Sequence, residues 1–307
     1  MATKPKVPAF MGAQYGRLAK GFGGAIFAAP HGTPYRGIDN RAHAKSGDAF
    51  RLALKDDAQW SSHWDFDLDG ILLSNPDFKA VDLGNLATLS ADGRGNRKKI
   101  ETQTKAILTA GAVPIMFGGD DSVPIPFIQA FSGEAPITIL QIDAHIDWRD
   151  ERNNERNGFS STMRRASEQP HVWRIVQAGA RGIGSARPEE VEAAQNWGVH
   201  IVKSQTIHRE GVGAVLPHIE PYSDVVISLD LDVLDAAVMP AVAYPSPGGL
   251  SYFQVTELIA GVAEKARIVG FSMVEFVPKR DLTGTAAYTA GRIAAQVLGH
   301  IGRQSKA

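Results

Sequence analysis

The run Pro136-Ile-Thr-Ile-Leu-Gln-Ile142 is unbroken and β-branched, which reads as a buried strand of the kind found in a parallel sheet covered by helices. Its carboxyl end delivers Asp143-Ala-His-Ile-Asp147 into a loop. Side chains two apart in an extended segment point the same way, so Asp143, His145 and Asp147 can converge on one small volume. Two carboxylates and an imidazole suit a divalent metal such as Mn, Ni or Zn. Taken alone, the stretch reads equally well as a solvated loop after a strand.

A second stretch decides between the two readings. In Asp224-Val-Val-Ile-Ser-Leu-Asp-Leu-Asp-Val-Leu-Asp235 an apolar strand again ends in acids, with Asp230 and Asp232 on one face. Unpaired aspartates on a buried strand are very costly, and coordination of a cation is the natural compensation. A third apolar run, Ala112 to Phe117, leads into Gly118-Gly-Asp-Asp-Ser122. There the glycine pair permits a tight turn, and Asp120 and Asp121 stand at its tip.

The rest of the chain alternates in the same manner. Further strands are predicted at Phe22 to Ala29, Phe78 to Leu83, Arg174 to Ile183, Val199 to Val202 and Ile268 to Glu275. Helices are predicted at Asn96 to Ala110, from Pro124, at Glu189 to Trp197, from Ser251 to Lys265 and at Ala286 to Leu298. Such alternation predicts an α/β fold: a single three-layer domain over residues 21–307, with a mostly parallel central sheet flanked by helices, after an extension over residues 1–20. A chain of 307 residues that is 44% hydrophobic can bury a large core. The net charge of -1 provides no basic field for nucleic acid. The absence of cysteine excludes disulfides and thiol catalysis. No run has the length of a membrane helix, and the first residues lack a signal peptide's apolar core, so the expectation is a cytoplasmic protein with no membrane partner.

Gly118-Gly-Asp-Asp-Ser122, Asp143-Ala-His-Ile-Asp147 and Ser228-Leu-Asp-Leu-Asp-Val-Leu-Asp235, in that order, resemble the motifs of the ureohydrolase family of arginases, agmatinases and guanidino-acid hydrolases, and the chain is agmatinase-like in sequence. The resemblance runs from Phe27 to Leu298 and takes in Gly32-Thr-Pro-Tyr-Arg-Gly-Ile-Asp39 and Glu275. It departs from the family pattern at Asp121 and at Asn157, where histidines are usual, and at Ala236, where proline is usual.

The resemblance implies an arginase-like fold. It also implies two divalent ions, Mn2+ first and Ni2+ as the alternative, held by Asp121, Asp143, His145, Asp147, Asp230 and Asp232. The implied reaction is hydrolysis of agmatine, a guanidino acid or a substituted guanidine to urea and an amine by a metal-bridging hydroxide. Asp147 is expected to hold the nucleophile and pass its proton to the leaving nitrogen, and Glu275 to accept the guanidinium N–H groups. Asp121 in place of histidine makes the site more negative and favours hard metals such as Mn over Zn.

The charged and polar excursion between Asp150 and Gln169 is attached directly to the metal motif, so Arg149, Asn157, Ser160, Ser161 and Thr162 are the candidate substrate contacts. An inward Arg149 would suit a substrate carboxylate, whereas an outward one would be solvated or paired between subunits. The family implies a homo-oligomer, a trimer or hexamer. The alternative is a noncatalytic structural or regulatory subunit of a hetero-oligomer. A single-zinc deacetylase is disfavoured, since the paired histidines it needs are missing. His43 and His63 receive no role, His200 reads as a satisfied core histidine, and the stretch from Trp60 to Trp64 reads as a packed excursion.

Overall fold

The structure is a computed structural model that describes residues 7–184 and 186–304. In chain order its first elements are β1 (Gln14–Tyr15), β2 (Gly24–Ala29), α1 (Ser46–Ala53), β3 (Trp64–Asp65), β4 (Gly70–Ile71), β5 (Ala80–Asn85), α2 (Gly93–Thr109), β6 (Val113–Gly118), α3 (Pro124–Gln129) and β7 (Ile137–Ile142). There follow α4 (Thr162–Ala166), β8 (Val172–Ala180), α5 (Pro188–Trp197), β9 (His200–Lys203), α6 (Ser204–Glu210), β10 (Asp224–Asp230), α7 (Tyr252–Lys265), β11 (Arg267–Val274) and α8 (Thr285–Gln304).

Nine strands form one sheet in the order β1-β5-β2-β6-β11-β10-β7-β8-β9, while β3 and β4 make a separate antiparallel pair. Every pairing within the large sheet is parallel among the described residues. Side chains of its strands alternate between two cores. In β2, Ile26 and Ala28 join the cluster that includes Phe50 of α1, Leu258 of α7 and Ile293 of α8. Ala25, Phe27 and Ala29 join the cluster of Ile100 from α2, Phe127 from α3 and Ala194 from α5. The result is a single three-layer α/β domain, with the central strands buried on both faces as parallel strands must be.

Local signals set the helix ends. Asp92 accepts the N–H of Gly95 and starts α2 at Gly93, ahead of the predicted Asn96. Gly111, at φ +81, stops that helix. Ser251 and Gln254 form the predicted capping box at the start of α7. Residues 10–15 of the stretch read as an extension are part of the body: Phe10 and Met11 are buried, and β1 pairs with β5. Trp60 and Trp64 are 53% and 56% exposed rather than packed, which corrects the reading of that excursion. His200 is half-buried and stacks on His218, so it is not a core residue. No described helix is long and apolar enough to cross a membrane.

The strand order positions the site. β6, β11, β10 and β7 are consecutive neighbours, so their carboxyl ends bring Asp121, Glu275, Asp230 and Asp143 to one edge of the sheet. The close approach is enforced at Gly179 in β8, whose φ is +112. A Cβ there would stand 2.4 Å from Val233 Cγ2 and 2.8 Å from the Asp143 carbonyl oxygen.

Candidate metal centre

β7 ends at Ile142, so Asp143 begins the turn that follows the strand. The chain then leaves the extended conformation, and Asp147 sits at φ +43. Turns, rather than the strand-like alternation expected from the sequence, therefore bring Asp143, His145 and Asp147 together. Similarly Asp230 closes β10, while Asp232 lies in a 3-10 turn and its N–H donates to Asp230 Oδ1 at 2.8 Å. Asp147 and Glu275 are both non-glycine residues with positive φ, Glu275 at +67. Such conformations cost energy and persist where surrounding contacts over-determine them.

The candidate ligands fall into two sets. Donor atoms of Asp143, His145 and Asp232 lie within 4.8 Å of one another, and so do those of Asp121, Asp143 and Asp230. Asp143 belongs to both, which is the arrangement two adjacent cations would share. Both carboxylate oxygens of Asp121 are buried without a hydrogen-bond partner. An orphaned buried carboxylate is costly, and a cation satisfies it. Oxygen donors with one imidazole fit hard or borderline divalent ions, so the residues present fit the implied metals. Asp147 lies outside both sets.

Burial pushes Asp121, Asp147 and Asp230 well above the usual carboxylate range, and their mutual repulsion adds to it. Burial also raises Asp232. Burial would push Asp143 up too, but its contacts with His145 outweigh this and hold it low. Burial pushes His145 down, yet Asp143 and Asp232 overcome that and leave it at about 12.

Gln141, Gln177 and Arg181, which had no sequence assignment, complete the centre together with Thr162, read from the sequence as a substrate contact. Gln141 Nε2 donates to Asp143 Oδ2 and Asp147 Oδ2, both at 2.7 Å. Its Oε1 accepts from Gln177 Nε2 at 2.5 Å, and Gln177 Nε2 also donates to the Ile146 carbonyl at 2.7 Å. Gln141 lies two residues before Asp143 in β7, so the strand period that singled out Asp143 placed Gln141 on the same side. Arg181, beyond β8, donates to the carbonyls of Asp232, Val233, Leu234, Ser246 and Pro247 and so ties the loops after β10. The Thr162 hydroxyl donates to the Asp121 carbonyl.

Glu275 closes the site from β11. Its Oε1 accepts the Asp121 N–H at 2.8 Å, and its own N–H donates to the Gly119 carbonyl at 3.0 Å. Burial pushes its carboxyl up to about 7. His43 Nε2 lies 3.5 Å from Glu275 Oε2.

The other candidate substrate residues are divided. Arg149 Nε donates to Glu190 Oε1 at 3.3 Å, so the carboxylate it meets belongs to α5. The Asn157 amide donates to Glu155 Oε1 at 3.2 Å. The Ser160 hydroxyl bonds to Tyr35 Oη at 2.7 Å, while the Ser161 hydroxyl is buried without a partner.

A sequence description of the arginase family matches residues 25–299. The chain is 32% identical over 201 residues to an N(1)-aminopropylagmatine ureohydrolase of Thermus thermophilus, covering 64% of this chain and 66% of that protein. It is 26% identical over 224 residues to a mitochondrial guanidino acid hydrolase of Homo sapiens, covering 71% of this chain and 63% of that one. Its fold is similar to that of the proclavaminate amidino hydrolase from Streptomyces clavuligerus, with a TM-score of 0.85, 24% identity and 98% of each chain covered.

Proposed function

The chain belongs to the arginase family, and from that premise we propose that it is a binuclear metal-dependent ureohydrolase acting on a guanidino compound. The observation that carries this reading is the pair of donor sets sharing Asp143, with the unpartnered oxygens of Asp121 in one of them. Asp121, Asp143, Asp230, His145 and Asp232 would hold the ions, with Asp147 at their edge. When bound, two divalent cations supply the Lewis acidity that makes water a competent nucleophile near neutral pH.

The chain's own groups do the rest. Glu275, at the tip of β11, accepts the guanidinium N–H groups and orients the central carbon towards the aspartates. Water adds to that carbon, the bond to the substituted nitrogen breaks, and the products are urea and an alkylammonium. Asp147, fixed through one oxygen by Gln141, can take the proton lost by water and hand it to the leaving nitrogen.

Of the substrates, the observed pairing of Arg149 with Glu190 removes the strongest argument for a carboxylate-bearing guanidino acid over agmatine. The oxygen-rich ligand set, with Asp121 where histidine is usual, favours Mn2+ over Zn2+, with Ni2+ the alternative. We extend the proposal to assembly as a homo-oligomer. Trp60, Trp64, Phe66 and Tyr288 form an exposed aromatic face of the sort that marks contact between subunits. Trp60→Ser with Trp64→Ser should lower the mass measured by light scattering if that face is buried in the assembly.

The test is metal analysis combined with urea release from agmatine, guanidinobutyrate, guanidinopropionate, arginine and substituted guanidines. Two equivalents of metal and urea from one of these are expected. The departures at Asp121 and Asn157 favour one other reading, a noncatalytic subunit of a hetero-oligomer. One ion or none, with no urea from any compound, would establish that reading and overturn ours.

A further inference from the structure

His43 is buried, 5% exposed, between β2 and α1, far in sequence from every motif of the site. Its Nδ1 lies 3.0 Å from the carbonyl oxygen of Phe276, and its Nε2 lies 3.5 Å from Glu275 Oε2. A carbonyl only accepts, so Nδ1 must carry a proton. On the other side, a bare ring nitrogen facing a carboxylate oxygen would set two lone pairs against each other. Nε2 thus stands within ion-pair reach of Oε2, where a donor suits the carboxylate. We propose that His43 is a positioning residue for Glu275, gripping both its side chain and the peptide that follows it.

The backbone shows why such a grip is needed. Glu275 is held at φ +67, a conformation unfavourable for a side chain of its length. Its N–H is anchored to Gly119 and its Oε1 to the Asp121 N–H. Without His43, Oε2 and the Phe276 carbonyl would each lose the partner that fixes them. Asp120 is a further charged group coupled electrostatically to His43, and it is occupied by the Ser122 hydroxyl and N–H. His43 thus fixes the rotamer in which the remaining lone pairs of Glu275 meet a guanidinium. It acts through Glu275 and touches neither candidate donor set.

This inference rests on the reading of Glu275 as the guanidinium acceptor, so the experiment has two arms. In the first, His43→Gln keeps a donor where Nε2 stands, and His43→Asn keeps one only where Nδ1 stands. Loss of a hydrogen bond to a charged group corresponds to about a tenfold change or more. His43→Asn should therefore raise KM for the guanidino compound about tenfold while metal content and kcat change much less, and His43→Gln should recover most of the loss. Equal losses in both variants, tracking thermal stability, would overturn the proposal in favour of a packing role. The second arm needs no turnover. In 15N-histidine-labelled protein loaded with diamagnetic Zn2+, His43 Nδ1 should be protonated, and its Nε2 resonance should shift in Glu275→Gln. An unmoved Nε2 resonance overturns the pairing, whereas a wild type inert towards every guanidino compound, with that shift present, overturns only the catalytic reading.

Discussion

Asp143 is common to both donor sets, whereas Asp121 and His145 each belong to one. Asp143→Ala should therefore abolish binding of both ions, while Asp121→Ala and His145→Ala each lose one. Metal-to-protein ratios by plasma mass spectrometry distinguish these outcomes, and two ions retained in Asp143→Ala would refute the shared-ligand arrangement. Glu275→Gln is expected to keep both ions and lose turnover, because it removes the charge proposed to meet the guanidinium and leaves the donor sets intact. A loss of metal in that variant would make Glu275 a ligand. A different position is occupied by Gln141, which touches Asp143 and Asp147 without belonging to either set. Removing a residue that orients ligands costs roughly 10–100-fold in metal affinity. Gln141→Leu should show that loss by calorimetric titration of Mn2+, with its circular dichroism unchanged.

At the scale of elements, the bend where β8 passes β7 and β10 leaves no room beyond a hydrogen. Gly179→Ala adds a methyl group against Val233 and the Asp143 carbonyl at a φ that disfavours any side chain. The expected cost is about 2 kcal/mol or more in urea unfolding, accompanied by weaker metal binding. A variant as stable as the wild type would mean that the β7 and β10 ends can separate freely. These strand ends were legible in the sequence because β-branched runs that stop at acids combine two signals, burial and uncompensated charge. Helix starts such as Ser251 with Gln254 were legible because capping is local. The pairing of His43 with Glu275 was not, since it joins the turn before α1 to the residue that follows β11, and no local pattern encodes that meeting. The same limit applied to Arg149, whose partner Glu190 belongs to a helix that packs beside the loop only in the folded chain. Asp147 was read as a ligand from strand alternation, but it lies outside both donor sets, and nothing local announces its left-handed backbone.

For the whole molecule, the buried acids link stability to pH. Glu275 is pushed from an ordinary 4.5 up to about 7, and His145 from 6.5 up to about 12, so each binds its proton more tightly in the folded state. Asp121, Asp147 and Asp230 are raised in the same sense. Their stabilisation is fully present below the unfolded values and is lost as pH rises through the folded ones. His31, His200 and His300 are held low chiefly by burial and oppose this only below their ordinary 6.5. The metal-free protein should therefore melt at progressively lower temperature above pH 6.5, whereas loaded ions replace those protons and flatten the curve. Calorimetry in chelator and in excess Mn2+ should show a gap that widens with pH, and parallel curves would rule out this linkage. Timing follows from the strand order as well. β11, near the end of the chain, lies between β6 and β10, so Phe271 must find Ile115 before the acidic tips can meet. On the ribosome, Gly118 to Asp121 and Asp143 to Asp147 emerge while the strand that joins their neighbourhoods is still untranslated. Contacts so distant in sequence form slowly, so the acidic tips come together late in folding.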